Sequence, residues 1–395
     1  MFNRQKNVSL RRLFIGKCKL VLIIHKPMKK TNLQQSFLLS LLVVLAFISC
    51  RINHEQEVIA VIDASFSQAF SADGPGGAVL IVKGGKVLLD KGYGLADMET
   101  KVPITGDTFF NIGSMSKQFT AVAILQLAGE GKLSLDDNIH TFFPEFRADF
   151  WDRITIHHLL CHTSGVPDAR DAIPVDVKLL ATDSISMAYM YDLDYLNFEP
   201  GEKYEYINPT FVLLGRIVEK VSGQEFETYM REHVFTPAGM KNTIYYAPGR
   251  DALIPAFAHG YAFNAKDYKW HEKDFGETTF FATRPDGGLC TSTHEFLAWE
   301  RALRSGSVLD KETLALAQSP KVVTSEDSLS FYGYGWNVIH RKDASEYIYH
   351  GGSNGGFRSL GVYYPASDTE LIIFLNRSGF DVGKYKAMIE EKLGI

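Results

Sequence analysis

The sequence predicts an α+β fold, in which strands from both ends of the chain form one antiparallel sheet around an inserted, mostly helical segment. β-rich runs lie near the start of the chain, at 76–94, and four more follow one another between 331 and 378. The stretch between these groups contains loops and apolar residues at helical spacing. With 395 residues, 46% of them hydrophobic, the chain can bury a large core as one domain or as two closely packed ones.

The first fifty residues carry the features of a targeting segment. Lys29 and Lys30 precede a thirteen-residue apolar stretch, 37–49, which is too short to span a membrane but typical of a signal peptide. Cys50 follows a small residue, as in a bacterial lipobox, so we predict that Cys50 is lipidated. A plain signal peptide with an incidental cysteine is the alternative.

The N-terminal segments are interpreted in order. Met28 begins a complete signal peptide, 28–50, so residues 1–27 are interpreted as an artefact of an upstream start codon. Residues 51–58 are predicted to form a tether. The expected location is the periplasmic side of a bacterial envelope, as a lipoprotein, and a soluble periplasmic or secreted protein is the alternative.

Charge is distributed unevenly along the chain. Nine of the 41 Lys and Arg lie in residues 1–49, which contain no Asp or Glu. The remainder holds 32 basic and 46 acidic residues, a net charge of −14. The net negative charge of the residues after 49 argues against nucleic acid or an anionic lipid surface as a partner. Membrane contact is expected only through the lipid anchor. Once Cys50 is lipidated, Cys161 and Cys290 are too few for a disulfide framework, and whether they pair is left open.

The main domain is predicted to span 59–395, with a sheet part at about 59–125 and 285–395 and a helical insert at about 126–284. Gly84-Gly85 separates two β-rich runs and predicts a hairpin. Apolar spacing predicts a helix from Lys117 to Ala128, ended by Gly129 and Gly131. Further helices are predicted over "PTFVLLGRIVEKVSG", "EFETYMREHVF" and "GKYKAMIEEKL". An antiparallel meander is predicted over "FYGYGWNVIH", "EYIYHGG", "FRSLGVYYP" and "ELIIFLNRS".

Ser114 and Lys117 stand three residues apart in "NIGSMSKQFT", at the start of a predicted helix. Three residues along a helix bring two side chains to one face. The free N–H groups at a helix start stabilise an anion, and a desolvated lysine with a lowered pKa can take a proton from a serine. The alternative is a capped helix followed by a solvated lysine. Ser116 is expected to face elsewhere and to be structural.

Two later motifs contain groups that fit the same chemistry. Tyr206 and Asn208 precede a helix, and a tyrosinate beside an ammonium can act as a general base while an amide positions a substrate. A second Y-x-N at 195–197 shows that the tripeptide alone is not specific. His350-Gly351-Gly352-Ser353 ends a strand-like run, where glycines let a substrate lie along the strand edge and the Ser353 N–H can complete an oxyanion hole.

The order S-x-x-K, Y-x-N and a late glycine-containing triplet resembles serine β-lactamases and penicillin-binding proteins. The stretches "FNIGSMSKQFTAVAILQLAGEGKLSLDD", "ITIHHLLCHTSGVPD", "FEPGEKYEYINPTFVLLGRIVEKVSGQEF" and "RPDGGLCTSTHEFLAW" are similar to the class C branch, with its DD-peptidases, D-aminopeptidases and family VIII esterases. The resemblance covers about 60–390. It implies a β-lactamase/transpeptidase-like fold and catalysis without a metal or an organic cofactor.

The resemblance also implies roles for individual residues. Ser114 is the nucleophile that becomes acylated, and Lys117 and Tyr206 share its proton. Tyr206 is preferred to Tyr195 because it follows the Pro-Gly turn and precedes the helix. Asn208 hydrogen-bonds the substrate or Lys117. The N–H groups of Ser114 and Ser353 bind the oxyanion, and His350 and Gly352 line the substrate site.

His350 departs from the class C pattern, which has lysine in K-T-G at this place. A neutral imidazole binds a substrate carboxylate poorly at pH 7, so penicillin hydrolysis is expected to be weak. As an alternative, His350 only caps the strand end. The expected function is an envelope-anchored serine hydrolase acting on small-molecule or peptide substrates, with D-amino-acid peptides or peptidoglycan fragments favoured. The alternatives are a family VIII-like esterase, a weak β-lactamase, or a non-catalytic sensor of penicillin or cell wall.

Other functional classes fit the sequence less well. "GGSNG" at 351–355 matches a nucleophile elbow, but no histidine follows His350 to complete a triad. His157, His158, Cys161 and His162 form a dense cluster without a zinc-protease motif, and their expected role is to tie a helix end to the loop at 163–165. "GEGKLSLDD" lacks phosphate-loop spacing. The sequence makes no prediction of oligomeric state.

Overall fold

The structure, a computed structural model, describes residues 11–15, 18–22, 54–147, 149–168, 182–247, 256–273 and 283–395. The chain divides into two compact units, Met1–Ala64 with Lys392–Gly394 and Ser65–Glu391 with Ile395. In the first unit, strands β1 (Arg11–Ile15) and β2 (Cys18–Leu22) pair antiparallel. Cys50 and the predicted signal peptide lie outside the described residues. Helix α1 covers 54–69, so 54–58 of the predicted tether are helical.

One eight-stranded antiparallel sheet dominates the second unit. Its order is β12-β13-β14-β15-β16-β17-β3-β4. These strands are β3 (Gly77–Lys83), β4 (Lys86–Tyr93), β12 (Val322–Val323), β13 (Ser330–Tyr332), β14 (Asn337–His340), β15 (Glu346–Asn354), β16 (Phe357–Tyr364) and β17 (Thr369–Leu375). β3 pairs with β17 from Gly77↔Leu375 to Lys83↔Thr369. The predicted sheet from both chain ends is therefore confirmed.

Local signals agree with most of these strands. Every residue of β3 except Lys83 is buried, as expected for a continuous apolar run with both faces covered. Gly84 and Gly85 form the two-residue turn of the predicted hairpin. The run "FYGYGWNVIH" was expected to be one strand, which is wrong. A turn closed by the Gly333 N–H bonding to the Trp336 carbonyl, at 2.8 Å, separates β13 from β14.

The helices lie on both sides of a shared core. They are α2 (Ser116–Gly129), α3 (Ile139–Phe142), α4 (Ile156–Leu160), α5 (Asp183–Tyr191), α6 (Pro209–Ser222), α7 (Phe226–Tyr229), α8 (Thr236–Ala238), α9 (Arg284–Gly287), α10 (Thr293–Ser305), α11 (Lys311–Ala317) and α12 (Val382–Leu393). α2 is buried along nearly its whole length, and Phe119 stacks on Trp299 of α10 at 4.2 Å between ring centroids. None of the helices in the described ranges is both long and apolar enough to span a bilayer.

Smaller elements complete the second unit. They are strands β5 (Leu95–Asp97), β6 (Val102–Pro103), β7 (Phe110–Asn111), β8 (Ile244–Tyr245), β9 (Tyr261–Asn264), β10 (Lys269–Glu272) and β11 (Leu289–Thr291). β7, β11 and β8 form a three-stranded sheet. The predicted helix "EFETYMREHVF" begins as α7 and continues as a π-helical segment, Met230–Phe235. The domain boundaries given above stay predictions.

Candidate active site

Ser114 lies in a 3₁₀ turn, Gly113–Met115, directly before α2 begins at Ser116. The side chain of Asn111 accepts the Gly113 N–H at 2.9 Å and so starts the turn. The Ser116 hydroxyl donates to the Gly113 carbonyl at 2.7 Å and accepts the Leu289 N–H at 3.1 Å. Ser116 therefore fixes the turn to β11, in line with the structural role predicted for it.

The turn packs directly against the end of β15. Gly113 has φ of 52°, and a Cβ there would lie 2.7 Å from the Ser353 nitrogen. A Cβ on Gly352 would lie 1.9 Å from the Ile112 carbonyl oxygen. Both glycines are required because main chain lies on main chain here. This packing brings the backbone around Ser114 and Ser353, the two predicted oxyanion donors, to the same place.

Lys117 is fully buried and holds three oxygen atoms around its Nζ atom. Its Nζ lies 3.2 Å from Ser114 Oγ, 2.7 Å from Asn208 Oδ1 and 2.8 Å from the Asp286 carbonyl oxygen. The Tyr206 ring centroid is 4.9 Å from the same nitrogen. Four residues predicted from two separate motifs are thus brought together, while the Asp286 carbonyl is an addition that the sequence analysis missed.

The segment that carries Tyr206 is held by His162. The carbonyl of His162 accepts the Glu205 N–H at 3.0 Å, and its Nδ1 accepts the Ile207 N–H at 3.2 Å. The rings of His162 and Tyr206 lie 4.2 Å apart between centroids. Burial, followed by the charge of Lys117, lowers the pKa of His162 well below its usual value, so the imidazole is neutral. His162 therefore supports the position of the tyrosine.

The Asp286 carbonyl is positioned by two anchors at the residues just before it. The Thr120 hydroxyl donates to the Pro285 carbonyl at 2.7 Å, which ties α9 to α2. Arg284 donates to both carboxylate oxygens of Asp183 in α5. Its backbone N–H bonds to Oδ1 and its Nε to Oδ2, each at 2.9 Å. Burial raises the pKa of Asp183, and the guanidinium supplies its counter-charge. The stretch "RPDGG" thus supports the lysine, although its sequence contains no signal for that role.

His350 belongs to β15 and is almost fully buried. Its Nδ1 lies 2.7 Å from the Gly351 carbonyl oxygen, which can only accept, so Nδ1 carries the hydrogen. Nε2, 3.1 Å from the Tyr332 hydroxyl, is then the acceptor. Burial, followed by the charge of Lys117, lowers the pKa of His350 to about 3. The imidazole is consequently neutral at pH 7, as expected from the sequence.

A cleft of about 760 Å³ opens beside these groups. Residues from the turn, the Tyr206 segment, β15, β16 and the start of α12 line it, among them Ser114, Tyr206, His350, Ser353, Arg358 and Lys386. β14 pairs with β15 only as far as Tyr349, so 350–354 form a free strand edge along the cleft. This edge and Ser114 line the same cleft.

The remaining candidate groups have structural partners. Cys161 and Cys290 are free and buried, and burial raises the pKa of both thiols. His157 Nδ1 contacts the Tyr334 hydroxyl at 2.7 Å, and His158 takes part in a capping box with Thr155. In the part of the chain that the structure describes, no three His, Cys, Asp or Glu side chains are grouped to hold a metal ion.

Comparison with known proteins identifies relatives over most of the chain. A family model described as Beta-lactamase matches residues 62–392. The chain is 31% identical over 313 residues to Protein flp of Staphylococcus aureus (strain MW2), covering 76% of this chain and 59% of that protein. It is 29% identical over 317 residues to Penicillin-binding protein 4* of Bacillus subtilis (strain 168), covering 76% and 68%. The aligned chain thus spans about three fifths of the staphylococcal relative.

A solved structure supports the same relationship. The penicillin binding protein from Bacillus halodurans is similar with a TM-score of 0.72 and 28% sequence identity. The similarity covers 84% of this chain and 98% of that one. The α+β architecture derived above is therefore shared with a penicillin-binding protein along nearly the full length of the latter.

Proposed function

The chain belongs to the β-lactamase family of serine hydrolases, and on this premise we propose that it cleaves amide or ester bonds of small substrates through an acyl-enzyme on Ser114. D-amino-acid peptides and peptidoglycan fragments are the favoured substrates, because the relatives include penicillin-binding proteins. Esters are the second candidate class. Weak cleavage of β-lactams is expected, because His350 is neutral where the class C pattern has a lysine.

The environment of Lys117 carries the proposal. Lys117 can accept a proton only in its neutral form, in which the amine has two hydrogens and one lone pair. The amide oxygen of Asn208 and the carbonyl of Asp286 can only accept, so they take the two hydrogens. The third direction points to the Ser114 hydroxyl, which can donate or accept. Lys117 can therefore exchange one proton with Ser114 without losing its other bonds.

The proposed reaction uses these contacts in the following order. Ser114 Oγ attacks the substrate carbonyl carbon while its proton passes to Lys117, assisted by Tyr206. The N–H groups of Ser114 and Ser353 stabilise the tetrahedral oxyanion. Collapse breaks the bond to the leaving group, which takes the proton and departs. Water then attacks the acyl-serine and releases the acid, which restores Ser114.

Replacement of Ser114 tests the nucleophile. Nitrocefin, p-nitrophenyl esters, D-aminoacyl anilides and D-Ala-D-Ala peptides are assayed with wild type and Ser114→Ala. Turnover of whichever substrate reacts should fall by at least about 10³-fold, and a fluorescent penicillin or fluorophosphonate should label only the wild type. Full activity of Ser114→Ala would refute the mechanism. A label that persists for hours without any turnover would favour the sensor alternative.

Tyr206→Phe and Tyr195→Phe form a matched pair within this experiment. Tyr195 belongs to the other Y-x-N and is 57% exposed. Loss of a general base costs about 10²–10⁴-fold, so Tyr206→Phe should be that much slower, whereas Tyr195→Phe should retain wild-type rates. Equal rates for the two variants would exclude Tyr206 from the proton transfer.

We also propose that the hydrolase is anchored to the outer side of a bacterial cell membrane through lipidated Cys50. The lipobox-like sequence before Cys50 supports this. Cys50→Ser should move the protein from the membrane fraction to the soluble or unprocessed fraction and prevent incorporation of labelled fatty acid. Fatty-acid incorporation into Cys50→Ser equal to that of the wild type would contradict the anchor.

A further inference from the structure

Strands β9 and β10 form a hairpin, 261–272, that belongs to neither the eight-stranded nor the three-stranded sheet. We refer to it as the aromatic hairpin. Phe263 is 49% exposed and Tyr268 is 80% exposed, the highest value among the large hydrophobic side chains that the structure describes. Trp270, the cross-strand partner of Phe263, is partly exposed. Several aromatic rings at one exposed place are typical of a surface that binds a partner.

The base of the aromatic hairpin is attached to the domain. The Tyr261 N–H bonds to the Asn376 carbonyl at 2.9 Å, and the Tyr261 hydroxyl accepts the Met98 N–H at 2.9 Å. The guanidinium carbon of Arg377 lies 4.7 Å from the centroid of the Trp270 ring. A two-stranded hairpin by itself is at most marginally stable in water. These contacts therefore hold the hairpin, so that its rings keep a defined position on the surface.

The three rings meet edge to face. The rings of Phe263 and Trp270 are inclined by 63° with their centroids 5.2 Å apart, and those of Phe263 and Tyr268 by 74° at 6.4 Å. Arg377 already covers one face of the Trp270 ring. Sugars stack on open ring faces, and successive sugars of a glycan need faces that share a plane. Rings at these angles offer no common plane, which argues against a glycan as the partner.

Positive charge surrounds the rings. Three exposed lysines lie in the turn, in β10 and directly after it: Lys266, Lys269 and Lys273. Within the described ranges no carboxylate pairs with their ammonium groups. The two carboxylates of this segment have histidine partners instead. Asp267 Oδ2 lies 2.7 Å from His271 Nε2, and Glu272 Oε1 lies 3.1 Å from His259 Nδ1. The three ammonium groups therefore remain open to an anionic partner.

The aromatic hairpin thus differs in charge from the rest of the chain. The residues after 49 carry a net charge of −14, which argues against an anionic surface as a partner for the domain as a whole. Within 261–273, however, three lysines outnumber two carboxylates. Trp and Tyr rings are enriched where lipid headgroups meet acyl chains, and lysine side chains extend from that boundary to the headgroups. The composition of the hairpin therefore fits a lipid bilayer.

The aromatic hairpin contacts a part of the chain that follows the proposed lipid anchor closely. A Cβ on Gly74 would lie 3.8 Å from Trp270 Nε1, so the two residues are neighbours. Gly74 follows Cys50 by 24 residues. A lipid on Cys50 would therefore hold the hairpin to the bilayer through a tether of 24 residues, which raises the effective concentration of lipid at its rings.

We propose that the aromatic hairpin docks on a lipid bilayer, with its three rings at the boundary between headgroups and acyl chains and its lysines at the headgroup phosphates. The inference rests on the proposed location at the membrane and is independent of the chemistry at Ser114. The lipid on Cys50 supplies the attachment, and the hairpin determines which side of the domain faces the bilayer. The lipid anchor is then one of two membrane contacts.

The fluorescence of Trp270 tests the docking. Trp151, Trp299 and Trp336 are at most 2% exposed, so Trp270 is the tryptophan whose surroundings a bilayer changes. The purified full chain is added to vesicles of phosphatidylcholine and phosphatidylglycerol, whose acyl chains carry bromine near the headgroup in one sample and none in the other. Bromine quenches nearby tryptophans, so the brominated vesicles should dim the emission. Trp270→Phe should abolish this quenching.

Further variants isolate the hairpin. Phe263→Ser combined with Tyr268→Ser should reduce the quenching to less than about a third of its wild-type value, because the apolar area that enters the bilayer is lost. Tyr195→Ser is the matched control, since Tyr195 is 57% exposed but lies outside the hairpin, and it should be quenched like the wild type. Lys266→Gln combined with Lys269→Gln should weaken the quenching most on vesicles rich in phosphatidylglycerol. Circular dichroism verifies that each variant is folded.

The outcomes distinguish the docking from the anchor and from the hydrolase. Wild type that shows no quenching, whether it is bound to the vesicles or fails to associate with them, overturns the docking. Equal quenching of wild type and the folded Phe263→Ser/Tyr268→Ser variant overturns it as well. A dimer that this variant loses, without any quenching of the wild type, would assign the rings to a second copy of the chain instead. Fatty-acid incorporation at Cys50 decides the anchor separately, and ester hydrolysis in solution decides the hydrolase.

Discussion

Gly351 and Gly352 are neighbours of the same type with opposite tolerance for a side chain. A Cβ at Gly352 would lie 1.9 Å from the Ile112 carbonyl and 2.3 Å from Ser359 Oγ, whereas at Gly351 the closest heavy atom is 3.5 Å away. Atoms cannot approach to 1.9 Å without displacing the main chain. Of these two neighbours, only Gly352 is therefore required by the contact between the Gly113–Met115 turn and β15.

Alanine at these two positions makes a direct test. Gly352→Ala should lower the free energy of unfolding by about 1–3 kcal/mol, because it overpacks a buried contact. Gly351→Ala should change it by less than about 0.5 kcal/mol. Gly352→Ala should also slow ester hydrolysis by about 10²–10³-fold, because the Ser353 N–H moves away from the oxyanion. Chemical denaturation gives the first comparison and p-nitrophenyl ester kinetics the second. Equal destabilisation of the two variants would contradict the packing described here.

Whether the sequence predicts a contact between two site residues depends on whether both residues lie in one short stretch of the chain. Ser114 and Lys117 are three residues apart, so a helical start brings them together whatever the rest of the chain does. The contact of Lys117 with the Asp286 carbonyl spans 169 residues and uses a main-chain oxygen, which every residue has. No residue type marks such a partner, and for this reason it was missed.

At the scale of elements, His294 links three parts of the second unit. It lies in the first turn of α10, with Nε2 2.8 Å from Asp90 in β4 and Nδ1 2.7 Å from Asp107 in the loop between β6 and β7. Both nitrogens face carboxylates, which requires the doubly protonated ring. Partial burial by itself lowers the pKa of His294, but the bonds to the two carboxylates outweigh burial and raise it.

The stability of this link should depend on pH in a defined direction. A folded-state pKa above the unfolded value of about 6.5 means that the stabilisation is fully present below pH 6.5 and is lost as pH rises through the folded pKa. His294→Gln should therefore lower the melting temperature more at pH 5.5 than at pH 9. The difference should be modest, because the histidine is 39% exposed and its ion pairs are screened by solvent. Thermal melts of both proteins at the two pH values measure it, and an equal difference at both would contradict protonation as the cause.

The ends of helices and strands were predicted correctly where glycines in the sequence mark them. Gly84-Gly85 placed the β3–β4 hairpin correctly, and the predicted Lys117–Ala128 helix differs from α2 by one residue at each end. The change from α7 to a π-helical segment at Met230 has no comparable signal. Both helix types need similar apolar spacing, so periodicity cannot distinguish them over six residues.

At the scale of the whole molecule, the sheet depends on contacts between the two ends of the second unit. The Gly76 N–H donates to Asn376 Oδ1 at 2.7 Å across 300 residues. Asn376 also donates to the carbonyls of Leu95, Ala96 and His259, at 2.9, 3.1 and 2.9 Å. Strand patterns predicted the pairing of runs that follow one another, but not which strands from the two ends of the chain lie side by side. The α+β class was inferred from where the runs lie, and the pairing of β3 with β17 has no local signal.

That pairing also has a consequence in time. Synthesis proceeds from the N-terminus, so Ser114 and Lys117 are made well before Asp286, and Ser353 follows later still. During synthesis the proposed nucleophile therefore exists before one of its two proposed oxyanion donors, the Ser353 N–H, has been made. Because the last strands of the sheet must close a loop of about 300 residues, we expect the proposed hydrolytic activity to arise only late in folding. An incomplete chain without Ser353 is therefore expected to lack the proposed hydrolytic activity.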